Sequence, residues 1–419
     1  MVSKGVNVMY KGLLLKIQLC IAVLITAAHA QASSHENMIN VRAIGALGDG
    51  VTDDTTAFIK AVEKSLQGNV TVFVPRGTYR ISQTIVVERT GISGPYAPAW
   101  PADIDSLPSI IPEHRDKPAF QLGAGGSLAG LDITYNWDSE PSTGSAAIVI
   151  NGIGATVRDT RIRYAWDGIV ADGTSNIGRT NLENIFMVSI KNTGVMMTGT
   201  WDVPRLNNIE VWNAGAAEEN RGFTTGTGFH LGKNDLMRMT DCFVFGMHQG
   251  FLLESKIEGC EIEGDTWGVM NGCATDFCEY GIVVRGDHTL SVSGGSFWDH
   301  RSSLVLEKGK SRVRVSGSEL LSNGAPAILV QECDHAVING CTILRPMEKY
   351  SSPAVHITGG RCVLGSNHIE SIGSGIQVEP SVSAAFIQGN MIDPHGRDAI
   401  VNKSGLKSEV VIENNHIVK

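Results

Sequence analysis

The chain has 419 residues, with 43 Asp or Glu against 34 Lys or Arg, so its formal net charge is −9. Nucleic acids and anionic membrane surfaces attract basic proteins, so this balance argues against both as partners. With 48 Gly and no amphipathic helical pattern after about residue 66, the chain favours short strands joined by turns.

The N-terminal segment predicts an exported protein. Three Lys residues precede an apolar run over 17–28, and the tripeptide that ends at Ala30 has the small-x-small form of a signal-peptidase site. We expect residues 1–30 to be a signal peptide cleaved near Ala30 and residues 31–38 to be a flexible mature N-terminus. The protein would then be secreted or periplasmic with no membrane attachment; an uncleaved N-terminal anchor is the alternative.

Residues 39–87 predict a cap followed by the first strands. Thr52 or Asp53 is placed to cap a short amphipathic helix near 53–66. The apolar face of this helix is predicted to hold Ala57, Phe58, Ala61, Val62 and Leu66. A strand over 70–74, a turn and a longer strand to Val87 follow. Such a helix has an apolar face to bury, which suits the closure of an open end of a larger fold.

A short unit then recurs twelve times: a turn residue, one or two polar positions, and an apolar anchor. The anchors are Ile133, Ile162, Ile185, Ile209, Phe243, Ile262, Phe297, Leu320, Ile343, Ile369, Ile392 and Ile417. A second apolar run follows each anchor and is entered from a small residue or Pro. Repeats of this size made of short strands predict an all-β solenoid, a single-stranded parallel β-helix of about 12 rungs over residues 39–419. The anchors should stack inward in one continuous sheet.

The N-terminal segment also carries a family resemblance. The residues concerned are Asn40-Val41, Gly45, Gly48-Asp49-Gly50, Thr52-Asp53-Asp54-Thr55, Ala57 and Pro75-x-Gly77-x-Tyr79. They closely resemble the signature of the pectate lyase superfamily group known as "pectate lyase 3" or rhamnogalacturonase/epimerase-like. The resemblance implies a right-handed parallel β-helix and a carbohydrate ligand, because that family includes polysaccharide lyases, glycoside hydrolases and phage tailspikes. It does not fix the reaction, since one fold hosts many activities.

The known active-site patterns of this superfamily are not reproduced. The polygalacturonase-type motifs are absent from the sequence, and Trp298-Asp299-His300 is only faintly similar to the Trp-x-Asp-His of classical pectate lyases. The signature acids Asp49, Asp53 and Asp54 are interpreted as structural. These departures put pectin itself in doubt as the substrate.

Loop lengths predict a binding side. The connection from anchor to second strand is long after Ile133, Ile209, Ile262 and Ile343, and short elsewhere. Insertions that share one turn of a solenoid project from the same side, where loops build binding faces. We therefore expect a side groove flanked by loops 210–228 and 263–281.

Candidate site residues concentrate in the middle rungs of that side. Asp265 and Asp299 follow consecutive anchors, which predicts an acid/base pair of carboxylates, with His300 as a further catalytic candidate. The predicted substrate-binding residues are Trp267, Trp298, Arg301, His248 and Trp212. Tryptophan faces pack on the apolar faces of pyranose rings, and Arg301 would orient the substrate. A surface salt-bridge cluster is the alternative for each charged residue.

These observations predict a secreted carbohydrate-active enzyme that cleaves glycosidic bonds of a polysaccharide or oligosaccharide. Hydrolysis is slightly favoured over β-elimination, because the acidic chain lacks a basic stripe for a polyuronide. A lyase would use His300 or His248 as base and Arg301 or a carboxylate-held Ca²⁺ as neutraliser; no cofactor is otherwise required. The alternative is a non-catalytic glycan-binding or structural β-helix. The protein is expected to be a monomer or a homotrimer.

The cysteines predict mainly structural roles. Cys242, Cys260 and Cys341 lie just before repeat anchors, where other repeats have Asn. Cys273 and Cys278 lie in one predicted loop and are candidates for a local disulfide in an oxidising compartment.

Overall fold

A computed structural model describes residues 38–95, 107–136, 143–172, 176–213, 225–346, 352–405 and 408–418. The predicted signal peptide and residues 31–37 lie outside this range. In the described residues the strands pair in parallel and the chain winds through three sheets, here A, B and C, in about thirteen turns. The predicted all-β parallel β-helix is therefore confirmed.

Between the first and last turns, each turn contributes one strand, or part of a longer strand, to each sheet. Sheet A contains Met38–Asn40, Thr71–Phe73, Gly91–Ser93, Ser127–Ala129, Asn234–Thr240, Thr266–Asn271, Thr289–Ser293, Arg312–Ser316, His335–Asn339, Arg361–Gly365, Ala384–Gln388 and Val410–Glu413. Sheet B contains Asp49–Asp53, Thr78–Ile81, Ser109–Pro112, Asp132–Thr134, Phe243–Phe245, Glu319–Ser322, Thr342–Arg345, His368–Ser371, Met391–Asp393 and His416–Ile417. Sheet C contains Ile85–Val87, Phe120–Leu122, Ala146–Ile150, Asp167–Ala171, Thr193–Met197, Thr227–Leu231, Gln249–Glu254, Ile328–Val330, Val355–Ile357, Ile376–Val378 and Ile400–Asn402.

Five longer strands pass from one sheet into the next. Thr156–Arg163, Asn181–Val188 and Arg205–Trp212 run from sheet A into sheet B, and Ala274–Arg285 and Ser296–Lys308 run from sheet B into sheet C.

The N-terminal end is closed by a helix, as predicted. The α-helix Thr55–Gly68 follows a 3₁₀ turn, Val41–Ile44. Phe58 is fully buried and packs edge-on against the ring of Tyr79, with 5.6 Å between ring centroids. Leu66 is exposed, so its predicted place on the buried face is wrong.

The signature acids hold this cap together. Asp54 accepts hydrogen bonds from the amides of Leu47 and Gly48, and Asp49 accepts from the amide of Thr52. The N-cap of the helix is Asp54, whose side chain makes no capping bond, so the prediction of Thr52 or Asp53 as the N-cap is wrong. Asp53 instead accepts a hydrogen bond from the amide of Thr55, the first helical residue. These bonds agree with the structural role predicted for the three acids.

The repeated turn residue sits at the corner between sheets A and B. It has a positive φ in twelve successive turns: Gly130, Asp159, Asn184, Asn208, Asp241, Gly272, Gly294, Gly317, Gly340, Ser366, Gly389 and Asn414. Gly, Asn and Asp adopt this left-handed conformation at the lowest cost, which is why the sequence repeat is visible there.

The register of sheet B corrects several anchors. Ile133 pairs with Ile162, and the inward column then continues through Met187, Val211, Val244, Thr275, Phe297, Leu320, Ile343, Ile369, Ile392 and Ile417. Ile185 and Ile209 are also buried, but each lies two residues before the member of this column in its own strand, Met187 or Val211. Phe243 lies on the outer face beside Glu210, and Ile262 lies outside the strands. A shift of one residue in a strand exchanges its inner and outer faces. Because the repeat pattern allowed either one or two polar residues before the anchor, it placed some anchors on the wrong face.

Thr275 occupies the place expected for Ile262. It pairs with Val244 on one side and Phe297 on the other. The apolar repeat fails at Thr275 because its hydroxyl donates a hydrogen bond, 3.0 Å long, to the buried carboxyl of Asp299. The long connection predicted after Ile262 is therefore not present at the corner between sheets B and C.

The small residues that enter sheet C form a column on its inner face. Gly194, Gly228 and Gly250 leave space that side chains from the next turn of sheet B occupy. A Cβ at Gly250 would lie 2.3 Å from Cγ2 of Thr275. The repeated small residue therefore reflects close approach of the two sheets.

Replacing Gly250 by Ala should destabilise the protein by about 1–3 kcal/mol, because the added methyl overpacks this contact. Gly68→Ala, where a Cβ would meet only Val70 at 3.4 Å, is the matched control and should leave stability unchanged or raise it by up to about 1 kcal/mol, because Ala favours a helix more than Gly does. Urea denaturation of both variants measures the difference. Equal stabilities would contradict the packing of sheet B on the glycine column.

The candidate disulfide between Cys273 and Cys278 is not formed. Cys273 lies at the corner between sheets A and B, one rung from Cys242, whereas Cys278 lies inside the corner between sheets B and C. The described cysteines are free thiols, and all except Cys260 are buried. Cys242 and Cys341 are buried just before strands of sheet B, in agreement with the structural interpretation. Cys260 lies instead in the connection between sheets C and A, so its predicted place before an anchor is wrong.

Candidate functional site

Long connections between sheets B and C are spaced along one side of the helix. They span 135–145, 213–226 and 346–354, although residues 137–142, 214–224 and 347–351 lie outside the described structure. Short turns separate the last two of these connections. The side chains on these turns and on the adjacent outer face of sheet B form the candidate site. Most of the wall predicted over 210–228 falls outside the described residues.

The fourth predicted loop lies elsewhere. Residues 255–265 form an insertion between sheets C and A, the corner opposite sheet B in the cross-section of the helix. Asp265 accepts hydrogen bonds there from the hydroxyl of Ser255 and the amide of Asp287. Its carboxyl thus fastens the insertion to the helix.

The structure consequently separates the predicted site residues. Trp212, His248, Trp298, His300 and Arg301 share the side of sheet B and its turns into sheet C. Asp265 and Trp267 lie at the opposite corner and the adjoining edge of sheet A. The predicted Asp265–Asp299 pair is not formed, because Ile262 is not an anchor and the two carboxyls lie at different corners.

One outward position of sheet B carries the site. In successive turns this position is occupied by the residues that we call the outer column: Trp212, Phe245, Asp276 and Trp298. The rings of Trp212 and Phe245 are stacked, with centroids 4.6 Å apart. Asp276 therefore lies between aromatic side chains. Phe245 was missed in the sequence because Phe243, two residues earlier, was assigned to the inner face.

The turn beside the column extends the aromatic surface. Phe277 packs 5.6 Å from Phe245 and 5.2 Å from the His300 ring, centroid to centroid. It is 45% exposed and has φ +55°. A bulky residue with positive φ is costly and is often found at functional sites. The exposed ring at this position is consistent with a ligand-contacting role.

Trp298 is the exposed end of the outer column. It is 44% exposed, and its indole nitrogen donates a hydrogen bond of 3.0 Å to Glu319. Ser296 donates to the same carboxylate. These contacts fix the edge of the indole while leaving much of its surface accessible, as a sugar platform requires.

Asp276 and His300 form the acid/base element of the site. Burial raises the pKa of Asp276, against smaller opposing effects of a backbone hydrogen bond and of His300. Burial lowers the pKa of His300, against the opposing charges of Asp276 and Glu279. The carboxyl therefore keeps its proton to higher pH than usual, and the imidazole is neutral at lower pH than usual. One can donate a proton while the other accepts one.

A second polar group flanks this pair. Glu279 forms an ion pair with Arg301, 2.7 Å from Nε to Oε1, and its other oxygen lies 2.6 Å from Nδ1 of His248. The Arg301 guanidinium also lies 5.9 Å from the centroid of Tyr280. Glu279 thus holds a cation and an imidazole at the edge of the groove. Asp276 and Glu279 are not among the site residues predicted from the sequence, since the misplaced Ile262 hid their register.

Asp299 lies inside the helix. It is 0% exposed, and its carboxyl rests over Gly281 and accepts from Thr275. Burial is the main cause that raises its pKa well above the usual range. The carboxyl is therefore a neutral interior group that solvent does not reach. The carboxyls that line the groove are those of Asp276 and Glu279.

The ionisation of Asp299 has a measurable consequence for stability. In the unfolded chain it ionises near its ordinary pKa, about 3.9. Because the folded pKa is raised, its contribution to stability is complete below about pH 4 and is lost as pH rises through the folded pKa. Asp299→Asn should therefore gain stability relative to wild type with rising pH, by at most about 1.4 kcal/mol per pH unit. Urea denaturation across this range tests it; a stability difference independent of pH would contradict a neutral buried acid.

Among the described residues, no group of three or more His, Cys, Asp or Glu side chains is arranged to hold a metal ion. No helix in the described part of the chain is long and apolar enough to cross a membrane.

Two parts of the chain match known protein families. Residues 38–114 match the family described as rhamnogalacturonase A/epimerase, pectate lyase-like, and residues 302–419 match the right handed beta helix region. Over 54 residues the chain is 43% identical to a glucan 1,3-beta-glucosidase of Cochliobolus carbonum. That stretch is 13% of this chain and 7% of the fungal protein.

Solved structures share the fold at low sequence identity. The Dettilon tailspike protein gives a TM-score of 0.60 at 14% identity, over 87% of this chain and 68% of its own. The A-module of the Azotobacter vinelandii mannuronan C-5 epimerase AlgE6 gives 0.52 at 12% identity, over 91% and 99%. The Streptococcus pneumoniae surface adhesin PfbA gives 0.51 at 13% identity, over 87% and 91%. At these identities the likeness concerns the fold alone.

Proposed function

Because the chain is a right-handed parallel β-helix protein whose residues 38–114 match the pectate lyase-like family, we propose that it is a carbohydrate-active enzyme that binds a polysaccharide along the outer column of sheet B. One observation carries the proposal. Asp276, with its raised pKa, lies between Phe245 and Trp298 in a column of aromatic side chains and next to His300. The 1,3-glucosidase and the epimerase named above are consistent with a polysaccharide substrate.

The outer column suits a polymer better than a single sugar. Its members repeat at the strand spacing of a parallel sheet, about 4.8 Å. Trp212 and Trp298 therefore lie three rung spacings apart, and Phe277 adds apolar surface beside the column between them. Pyranose rings pack their C–H faces on aromatic rings, so successive sugars of one chain would contact successive side chains.

Hydrolysis of a glycosidic bond is the reaction we favour. Asp276 would donate its proton to the glycosidic oxygen as the bond to the anomeric carbon breaks. Glu279 is the second carboxylate of the groove, and it would accept a proton from the water whose hydroxyl joins the anomeric carbon. Before the substrate binds, Glu279 is paired with Arg301.

Elimination at a uronate is the second candidate, favoured by one observation. His300 has a lowered pKa and is followed by Arg301. A neutral imidazole can remove the proton beside the carboxylate of a uronate, and a guanidinium can neutralise that carboxylate. The proton would pass to His300, a double bond would form in the ring, and the glycosidic oxygen would leave with a proton from Asp276. A bound Ca²⁺ in place of Arg301 remains a prediction.

We also propose that the protein acts outside the cytoplasm, as the N-terminal Lys-rich and apolar segment suggests. Polysaccharide chains are found there, and we propose that the protein acts on them as a monomer or a homotrimer. N-terminal sequencing of protein recovered from the periplasm or medium tests the cleavage near Ala30. A mature protein that begins at Met1 would contradict it.

Incubation of the purified protein with a panel of neutral and acidic polysaccharides tests the activity. Hydrolysis is expected to release reducing ends with no change in ultraviolet absorbance. Elimination would release reducing ends together with the absorbance of an unsaturated uronate. Tight retention of a polysaccharide without new reducing ends would instead support the non-catalytic glycan-binding alternative.

A further inference from the structure

A second aromatic surface lies at the corner between sheets C and A, on the opposite side of the helix from the outer column. Trp201 and Trp267 are 52% and 54% exposed there. We propose that these two side chains, with Lys233 between them, form a separate binding platform for an extended polysaccharide chain. They are called the tryptophan platform below.

The backbone register places the two indoles on a common line. Thr200 pairs with Asn234, and Asn234 pairs with Thr266, so these residues occupy one position in three successive turns. Trp201 and Trp267 each follow a member of this set. They are therefore separated by two strand spacings, about 10 Å along the helix axis. Two surfaces at that separation can contact two sugars of one extended chain, whereas a single monosaccharide would reach only one.

Buried hydrogen bonds fix the line on which the platform stands. The Thr200 hydroxyl donates a hydrogen bond of 3.1 Å to the side-chain oxygen of Asn234, and the side-chain amide nitrogen of Asn234 donates one of 3.2 Å to the Thr266 hydroxyl. The backbone amide of Thr266 donates to Nδ1 of the buried His288 over 2.8 Å. Because every member is buried and bonded, the backbone that carries the indoles is held rigidly. A rigid surface loses little conformational entropy when it binds.

Lys233 supplies polar recognition in the middle turn. Its ammonium nitrogen lies 4.1 Å from the centroid of the Trp201 ring. Its methylene carbons would be 3.2–3.3 Å from a Cβ at Gly264, which belongs to the insertion 255–265. The absence of a side chain at Gly264 lets Lys233 lie between the insertion and Trp201. An ammonium held beside an indole can donate to sugar hydroxyls or pair with a uronate carboxylate.

The location separates this platform from the proposed groove. Sheets A and C meet at the corner that faces away from sheet B, so a polysaccharide on the platform leaves the outer column open. A site of this kind would hold the protein on polymer without contributing to bond cleavage. The inference does not require the proposed activity, because the ligand class follows from the indole spacing and Lys233.

The test is affinity electrophoresis in native gels that contain a soluble neutral β-glucan or a soluble polyuronate. A Phe277→Ala/Trp298→Ala background first weakens the groove, so that retardation reports on the platform. The background protein should still be retarded by at least one polysaccharide. Adding Trp201→Ala and Trp267→Ala together should then lower the association constant at least about tenfold, since each stacked aromatic contributes about this much. Lys233→Gln should lower it by a smaller factor.

Controls keep the outcomes separate. Val51→Ala removes an exposed apolar side chain from the N-terminal cap and should not change retardation. Trp201→Ala/Trp267→Ala in the otherwise native protein should leave the turnover of short oligosaccharides unchanged, because these two side chains lie outside the groove. The platform would be contradicted if neither polysaccharide gel retards the background protein, or if retardation stays the same after both tryptophans are replaced. Sedimentation velocity gives the third test. If the native protein self-associates and the Trp201→Ala/Trp267→Ala protein does not, the occupant of this surface is a second copy of the chain and not a polysaccharide.

Discussion

Replacement of Asp276 by Asn is expected to lower the turnover of the polysaccharide substrate by about 10²- to 10⁴-fold, the range that general acid catalysis contributes. The amide has nearly the shape of the carboxyl but no acidic proton to donate. Its contacts with Phe245 and Trp298 should persist, so the melting temperature should change little. Initial rates measured by released reducing ends, together with thermal unfolding by circular dichroism, give the two quantities.

The matched control is Glu183→Gln, an exposed carboxylate of sheet A outside the proposed groove and the tryptophan platform. It should retain wild-type turnover on short substrates. Asp276→Asn should also flatten the basic limb of the pH–rate profile, because that limb reports loss of the proton from the acid. Its raised pKa places this limb above the range of an ordinary Asp. An Asp276→Asn enzyme with wild-type turnover would remove Asp276 from the mechanism.

Replacement of Ile343 by Asp is expected to abolish folding. Ile343 is fully buried between Leu320 and Ile369 of the neighbouring turns. A carboxylate there would lose its hydration without gaining a cation, at a cost of several kcal/mol, which is comparable with a whole domain stability of about 5–15 kcal/mol. The fraction of soluble protein and the presence of a cooperative urea transition measure the outcome.

Two further variants interpret that result. Ile343→Val keeps the apolar contact and should cost only about 0.5–1.5 kcal/mol. Val363→Asp places the same carboxylate on the outer face of sheet A and should fold. A soluble Ile343→Asp protein that melts cooperatively would contradict the inward column of sheet B.

The architecture was predictable because its signals are local and repeated. Each corner between sheets A and B needs a left-handed residue, and each entry into sheet C needs a small one. Gly317 and Gly250 are examples whose sequence neighbours alone reveal the period. The N-terminal cap was predictable for a similar reason, since the acids around Asp53 bond to amides only a few residues away.

The site was less predictable because it depends on register. The pattern around Ile262 imitates a turn and anchor, while the true inward residue is Thr275, which is polar because it bonds to Asp299. That single misassignment placed Asp265 beside Asp299 and left Asp276 without its neighbours. Trp212, Trp298 and His300 were located correctly on one side because the anchors that precede them, Ile209 and Phe297, do lie in strands of sheet B.

The sequence by itself determined the parallel β-helix, the capped N-terminal end and an aromatic side rich in titratable groups. These depend on backbone conformation and hydrophobic periodicity, which act over a few residues and repeat in every turn. Only the tertiary structure decided which carboxyl is buried, which lines the groove and which fastens an insertion. Asp299, Asp276 and Asp265 differ in these respects because stacking brings together residues about 20–35 positions apart. A shift of one residue in that stacking exchanges the core for the surface.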